Sequence, residues 1–491
     1  MDDTPHAQDR TAKVSTHRAL TGPVAALITL LFSVGSLPSA LAAPPAPTPE
    51  GGEASPTPGT APQPDRSSAA TAPDAAPVYE NWAIHGQSTL TQIYQPGFRS
   101  PYRGKQSLDP GSRGRETWDV TLYGGVRPWR GAEIWVNPEV DQGFGPSNTF
   151  GLGGYVSAEA YKLGSATPYV RLQRVFFRQT LDLGGEAQAV APDLNQLGGS
   201  QTANRVVLTV GKFSSFDVFD TNKYAHDTRN DFLNWSLIDA GNFDQAGDAW
   251  GYSYGASAEW YQDWWTIRAG VFDLPTVPAY KYLDPHLGHQ VQYVAEVEER
   301  HTIFGQDGKV KLAGFYSRGL FGSYAQATAL GQATGTTPDI QAVRRLRAKG
   351  GGSVNVEQAL TADLGFFLRA GITDGTSSVS SFTDVDNTVS FGLSLAGKRW
   401  DRPDDTVGIG FARNNISRHM KRYLGAGGLG ILVGDGKLPN SGPESVLEAF
   451  YSFAIVKGVN LTADYQFVNN PAYNRDRGPV SFLGARLHAQ F

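Results

Sequence analysis

The chain has 491 residues, of which 57 are glycine, 11% are aromatic and only 18% are charged, against about 25% charged residues in typical soluble domains. The absence of cysteine excludes a disulfide scaffold, a thiolate metal site and a cysteine nucleophile. A formal net charge of −5 excludes a broad basic surface for nucleic acid.

Residues 1–42 have the features of a cleaved export signal. Lys13 and Arg18 precede an apolar run over residues 24–37, and the sequence Ala-Leu-Ala ending at residue 42 supplies the small residues that a signal peptidase requires. A single transmembrane anchor is the alternative, but the run is shorter than the roughly 20 residues that a helix needs to cross a bilayer. We therefore predict a signal peptide and export of the chain.

The next segment, residues 43–78, is rich in proline, alanine and threonine. Ten of its residues are proline, which removes a backbone donor and disfavours both helix and sheet. We predict a disordered tether here, followed by a membrane domain over residues 79–491.

From residue 79 onward, apolar residues recur at every second position over segments of about 9 to 13 residues, which is the period of a strand with two unlike faces. In the segment 116–127, Trp118 and Leu122 share one face, and Asp119 lies on the other. An even number of such strands is typical of bacterial barrels, and we count sixteen. Because hydrocarbon offers backbone groups no hydrogen-bond partner, strands that cross a membrane must close on themselves. The predicted fold class is all-β, a transmembrane antiparallel β-barrel of about 16 strands.

One alternating segment ends in large aromatic residues on both sides. Trp250, Tyr252 and Trp260 share a face there, and aromatic residues at the two ends of a lipid-facing strand are typical of interface girdles. We therefore predict that these three side chains face lipid.

The connections between the predicted strands alternate between long and short, which predicts long extracellular loops and short periplasmic turns. One connection, 180–203, is long where a turn is expected, so either it is a periplasmic excursion or the strand boundaries differ there. The chain ends on Phe491. A C-terminal aromatic residue after an alternating strand resembles the signal read by the outer-membrane insertion machinery.

The polar faces predict the wall of a water-filled pore, because sixteen strands leave an aqueous channel. The pore-lining candidates are Arg127, Glu133, Trp135, Glu139, Asp141, Arg171, Glu259, Arg268, Glu296 and Arg369. From residue 78 onward the chain has 38 basic and 40 acidic residues. A balanced charge with aromatic residues favours neutral polyols over ions. The alternative is that these charges only solvate the pore and pair with one another.

Several motifs carry a family resemblance. They are GKF at 211–213, DVFDTNKYA at 217–225, DAWGY at 248–252, NVEQ at 355–358, RAG at 369–371, DYQ at 464–466 and NPAYNRDRGPV at 470–480. In this order they resemble the OprB family of carbohydrate-selective outer-membrane porins. The resemblance covers residues 79–491 and implies a sixteen-stranded barrel, a monomer rather than a trimer, passive diffusion of glucose and related sugars, and external loops that fold inward.

The longest predicted loop carries a cluster of polar side chains. Asp217, Asp220, Asn222 and Asp227 are candidates for a constriction loop. They also suggest a Ca²⁺ site, but the D-x-D-x-D-G spacing of a calcium loop is absent, so we expect no metal and no cofactor.

Three other functions remain as alternatives. A general diffusion porin differs only in lacking a sugar preference. An outer-membrane enzyme would use acidic pairs such as Glu139 and Asp141, which lie at a separation that glycosidases use. An adhesin would present aromatic residues at its loop tips.

Overall fold

A computed structural model describes residues 78–160, 164–381 and 383–491. The predicted signal peptide and nearly all of the predicted tether lie outside the described residues.

The described chain forms one closed antiparallel barrel of sixteen strands, which confirms the predicted fold class. The strands are β1 (Trp82–Gln95), β2 (Arg113–Val126), β3 (Ala132–Gly143), β4 (Ser165–Val190), β5 (Gly199–Phe213), β6 (Ser253–Gln262), β7 (Trp265–Asp273), β8 (Val291–Ile303), β9 (Gln306–Gly322), β10 (Arg344–Ala359), β11 (Leu364–Thr373), β12 (Asn387–Ala396), β13 (Thr406–Asn415), β14 (Glu444–Val456), β15 (Val459–Asn469) and β16 (Val480–Gln490). Each strand pairs with its neighbours in the chain, and β1 pairs with β16.

Alternating side chains give the barrel an apolar outer face and a polar inner face. On β2, Trp118 and Leu122 are exposed on the outside, whereas Asp119 is buried inside. Tyr254 and Trp260, near opposite ends of β6, are 53% and 47% exposed. In water, such exposed aromatic side chains would favour aggregation, but in a bilayer they contact lipid and the two membrane interfaces.

The C-terminal residue completes the seam between β1 and β16. The amide of Phe491 donates to the carbonyl of Gly86 at 3.0 Å, and the amide of Gly86 donates to the carbonyl of Phe491 at 3.1 Å. A Cβ atom on residue 86 would lie 2.6 Å from the ring of Phe491. Glycine at this position therefore leaves the space that the terminal ring occupies.

The segment 180–203 is a periplasmic excursion built of strand. β4 continues to Val190, β5 begins at Gly199, and the two remain paired up to these residues. Two glycines, Gly184 and Gly185, interrupt the alternation of β4. The sequence pattern alone therefore does not decide between a periplasmic excursion and different strand boundaries.

The described connections contain three α-helices, Trp235–Ile238, Tyr324–Thr334 and Arg418–Gly425. No helix within the described residues is both long and apolar enough to cross a membrane.

The longest connection, 214–252, folds into the lumen and builds a core there. Phe216 and Phe243 stack edge to face, with ring centroids 5.1 Å apart, and Phe243 packs on Phe315 of β9 at 5.0 Å. The structure shows that the prediction of lipid-facing positions for Trp250 and Tyr252 is wrong. Both residues precede β6 and belong to this inward connection, where Tyr252 is buried.

Candidate functional site

Two cavities lie along the lumen. The outer cavity, of about 170 Å³, is bordered by residues of the extracellular connections such as Tyr155 and Trp250. The inner cavity, of about 90 Å³, is bordered by residues near the periplasmic end such as Asn195 and Tyr261. Five described residues border both cavities, and we call their position the constriction: Arg174, Phe216, Asp217, His226 and Asp227.

A bulge in β4 places two arginines on the inner face of the barrel. Asn137 of β3 pairs with Arg174, whereas Pro138 pairs with Leu172, so one residue of β4 is left without a partner. Proline has no N–H for the ladder and is found in sheets at edges and bulges. Because the extra residue reverses the alternation, Arg171 before it and Arg174 after it both face inward.

Arg171 lies at the wall of the outer cavity between carboxylates and aromatic rings. It donates to Glu139 at 2.8 Å and also bonds to Asp141. Its guanidinium carbon lies 5.0 Å from the ring centre of Trp250 and 5.4 Å from that of Tyr252. Its Nη1 atom is buried and donates no hydrogen bond to the described residues, so the two N–H groups of this atom have no acceptor there.

Arg174 is held at the constriction by the inward connection. It makes two parallel bonds to Asp217, at 2.7 and 2.8 Å, and its guanidinium carbon lies 4.9 Å from the ring centre of Tyr252. A bidentate pair fixes the plane of the guanidinium. The positive charge of Arg174 therefore has one orientation where the two cavities meet.

A third arginine, Arg229, comes from the inward connection itself. Its nearest carboxylate oxygens belong to Glu159 at 3.3 Å, Asp119 at 3.6 Å and Glu139 at 3.9 Å. The Nε atom of Arg229 and Oε2 of Glu159 are buried without a hydrogen-bond partner among the described residues. The outer cavity thus combines unused donors with an unused acceptor.

A histidine of the same connection forms an ion pair at the constriction. Nδ1 of His226 lies 3.2 Å from Oδ1 of Asp239. Burial opposes the charged form, but the close carboxylate of Asp239 raises the pKa of His226 to about 9. His226 is therefore protonated at neutral pH.

The opposite wall anchors the inward connection through Asp220. Its amide donates to Glu296 at 2.8 Å, its carboxylate lies 3.2 Å from Nε of Arg369, and Asn355 donates to the same carboxylate at 2.7 Å. Asp220 has a φ of +56°. These buried contacts hold a left-handed residue in place between three strands.

Four of the ten predicted pore-lining residues border one of the two cavities, and six do not. Glu139 and Arg171 border the outer cavity, and Glu259 and Arg268 border the inner one. Within the described residues, the other six line neither cavity: Arg127, Glu133, Trp135, Asp141, Glu296 and Arg369. The acidic pairs that suggested glycosidase chemistry are engaged by arginines, since Arg171 bonds to Glu139 and Asp141.

Of the loop candidates, Asp217 and Asp227 lie at the constriction, Asn222 borders the inner cavity, and Asp220 is an anchor. Their oxygens accept from loop and wall donors, and the described residues contain no group of three acidic or histidine side chains placed to hold a metal ion.

Sequence reasoning missed Arg174 and Arg229. Strict alternation from Arg171 assigns Arg174 to the lipid face, and only Pro138 on the partner strand signals the bulge. Nothing local marks Arg229, because its position depends on how the long connection folds back.

A closed sixteen-strand barrel with an apolar exterior, a polar lumen and an inward connection is a porin of the bacterial outer membrane. A family model described as "Carbohydrate-selective porin, OprB family" matches residues 105–491. The chain belongs to the OprB family, which confirms the resemblance and a sugar porin function.

The solved structure of OprB of Pseudomonas putida shows the same fold. OprB of Pseudomonas putida matches with a TM-score of 0.64 and 15% identity, covering 84% of this chain and 94% of that chain. The channel DcaP of Acinetobacter baumannii matches at 0.45 and 9% identity, with 84% and 97% covered. OccK2 of Pseudomonas aeruginosa matches at 0.43 and 10% identity, with 84% and 98% covered. No curated protein sequence matches this chain.

Proposed function

We propose that glucose and related neutral sugars diffuse passively through this porin by way of the outer cavity, the constriction and the inner cavity. The observation that carries the proposal is the wall of the outer cavity, where charged side chains with unused polar atoms face aromatic rings. Arg171 and Arg229 offer donors, and Glu159 offers an acceptor.

This wall matches the chemistry of a sugar. Sugar hydroxyls both donate and accept, so they can use guanidinium and carboxylate groups together. The apolar face of a sugar ring packs on an aromatic ring, which Trp250 and Tyr252 supply. A small ion gains little here, because the arginine and carboxylate charges already neutralise one another.

Current through single channels in planar bilayers tests the proposal. We expect glucose or maltose to block the current in a concentration-dependent way. Replacing Arg171 with Gln should weaken this block about tenfold, because a charge-assisted hydrogen bond is lost. Arg318 of β9 is exposed on the outer face, so Arg318→Gln is the matched control and should leave the block unchanged.

Liposome swelling separates this function from general diffusion. Glucose should enter faster than an amino acid or a salt of similar size. Equal swelling rates for all three solutes would show that the protein is a general porin without a sugar preference.

We further propose that the chain has no catalytic activity and acts as a monomer. The candidate glycosidase carboxylates are paired with arginine, as Glu139 is with Arg171 at 2.8 Å, and the family resemblance favours the monomer. Hydrolysis of a chromogenic glycoside by the purified porin, or a trimer after cross-linking in detergent, would contradict these two statements.

We also propose that Phe491 is read by the outer-membrane insertion machinery, since it directly follows the alternating strand β16 and its backbone pairs with Gly86 at the seam between β1 and β16. Phe491→Ser should reduce the amount of porin in the outer membrane while leaving its synthesis unchanged.

A further inference from the structure

The hairpin between β4 and β5 reaches further than the other periplasmic connections. β4 and β5 remain paired from Leu181 and Val206 to Val190 and Gly199, whereas the turn between β6 and β7 has only residues 263 and 264. A porin does not need paired strands beyond the membrane to close its barrel.

The hairpin bends where its two glycines lie. Gly184 and Gly185 have φ values of +103° and +88°, and the register with β5 shifts on both sides of Gly184. Positive φ values and shifts of register bend a strand sharply. The bend directs the tip of the hairpin, residues 193–197, back toward the barrel.

Charged side chains fasten this tip at the periplasmic mouth. Arg127 donates to the carbonyls of Leu197 at 3.3 Å and Gly198 at 3.1 Å, and the carboxylate of Glu80 accepts from the amide of Gly198 at 2.8 Å. Arg178 donates to the carbonyl of Asn195 at 2.9 Å. Leu197 is 1% exposed. The tip is thus packed and bonded in place.

The fastened tip also forms part of the inner cavity. Leu194, Asn195 and Gln196 border this cavity together with Arg174 from the constriction. Oδ1 of Asn195 is buried and accepts no hydrogen bond from the described residues. A buried carbonyl oxygen without a donor is costly unless a solute or water satisfies it.

We propose that the hairpin tip, residues 193–197, is a second filter on the periplasmic side of the constriction, at which Asn195 accepts a hydrogen bond from a hydroxyl of the departing sugar. The claim that Asn195 binds a sugar hydroxyl rests on the proposed function. The claim that the hairpin tip narrows the periplasmic exit does not, because the tip lies at the exit whatever the solute is.

The absence of native cysteine makes the filter directly testable. Asn195→Cys is modified with a methanethiosulfonate reagent while single-channel conductance in salt is recorded. We expect conductance to fall about twofold as the added group fills the exit. Ser200→Cys, exposed on the same hairpin, is the control and should be modified with no change in conductance. Complete modification of Asn195→Cys with unchanged conductance would overturn the filter.

A second variant tests the hydrogen bond. Asn195→Ala should weaken block of the current by maltose about threefold to tenfold, because one hydrogen bond is lost. Unchanged block would overturn the role of Asn195. Failure of the proposed function looks different, since the unaltered porin would then show no block by sugar even where modification of Asn195→Cys still lowers conductance.

Discussion

At the constriction and in the outer cavity, the arginine side chains are oriented by carboxylate partners. Arg174 is held by two bonds to Asp217, and Arg171 by Glu139 and Asp141. Such pairs lose little rotational freedom when a solute binds, because the guanidinium planes are already fixed. The site therefore binds through preorganised groups, and the aromatic rings beside them provide the contact area.

Tyr252 is the aromatic residue shared by both arginines, so its removal should affect binding more than conduction. In Tyr252→Ala, sugar block of the single-channel current should weaken about threefold to tenfold, since a stacking surface beside two cations is lost. The matched control is Tyr254→Ala, two residues along, where the side chain faces lipid. Equal effects of the two substitutions would argue against a role for Tyr252 in the site.

Arg369 should matter for stability, because it neutralises the buried carboxylate of Asp220. Arg369→Met should destabilise the inward connection by about 3–5 kcal/mol, as expected when one partner of a buried pair is removed. Urea unfolding in detergent micelles measures the loss, and larger fluctuations of the open current would show that the connection has moved. Arg413→Met, on the exposed outer face of β13, should be close to neutral. A small effect of Arg369→Met would mean that the other hydrogen bonds of Asp220, to Asn355, Glu296 and the amide of Ala240, are enough to hold it.

At the scale of elements, the connection 214–252 behaves as an internal domain that uses the barrel as its scaffold. Its aromatic side chains pack against the barrel wall, and carboxylates of the wall accept hydrogen bonds from its backbone amides. Glu448, for example, accepts hydrogen bonds from the amides of Leu233 and Asn234. Buried carboxylates that accept such bonds specify one position of a loop. The connection 214–252 therefore has one fixed position in the lumen, and this position determines the shape of the path for a solute.

The His226–Asp239 pair makes this element sensitive to alkaline pH. The folded pKa of His226, about 9, lies above its ordinary value of about 6.5. The pair therefore contributes its full stability below about pH 6.5 and loses it as pH rises through 9. Current fluctuations should increase between pH 7 and pH 10. His226→Gln should show no such transition, and a transition retained in this variant would assign the pH effect to another group.

Sequence alternation predicted the elements that face two different solvents. β2 and β6 were located because their outer residues meet lipid and their inner residues meet water. The same rule failed for Trp250 and Tyr252, since aromatic residues two apart also occur where a loop packs on arginines. It failed again at Arg174, because a bulge changes which face a residue occupies without changing the composition.

At the scale of the whole molecule, the barrel depends on one pairing that local sequence does not encode. β1 and β16 are separated by nearly the entire chain, and they pair from Gln87 and Gln490 to Tyr94 and Leu483. Closing a loop of this length is entropically costly. The alternating pattern predicts that closure occurs, but the register comes from contacts between the two termini of the barrel.

Gly86 should set this register, because the ring of Phe491 occupies the space beside it. In Gly86→Val, the new Cβ would meet the ring at 2.6 Å. The ring or the strand must then move, at a cost of about 1–3 kcal/mol for overpacking. The folded porin should convert to the unfolded form at a lower temperature in a gel-shift assay in SDS.

The matched control for this substitution is Gly114→Val on β2, where an added Cβ meets no atom within 4 Å. This variant should melt like the unaltered porin, because valine favours strands and nothing opposes it there. If both variants melted at the same temperature, the seam would tolerate a displaced Phe491, and the terminal ring would contribute to insertion rather than to the closed barrel.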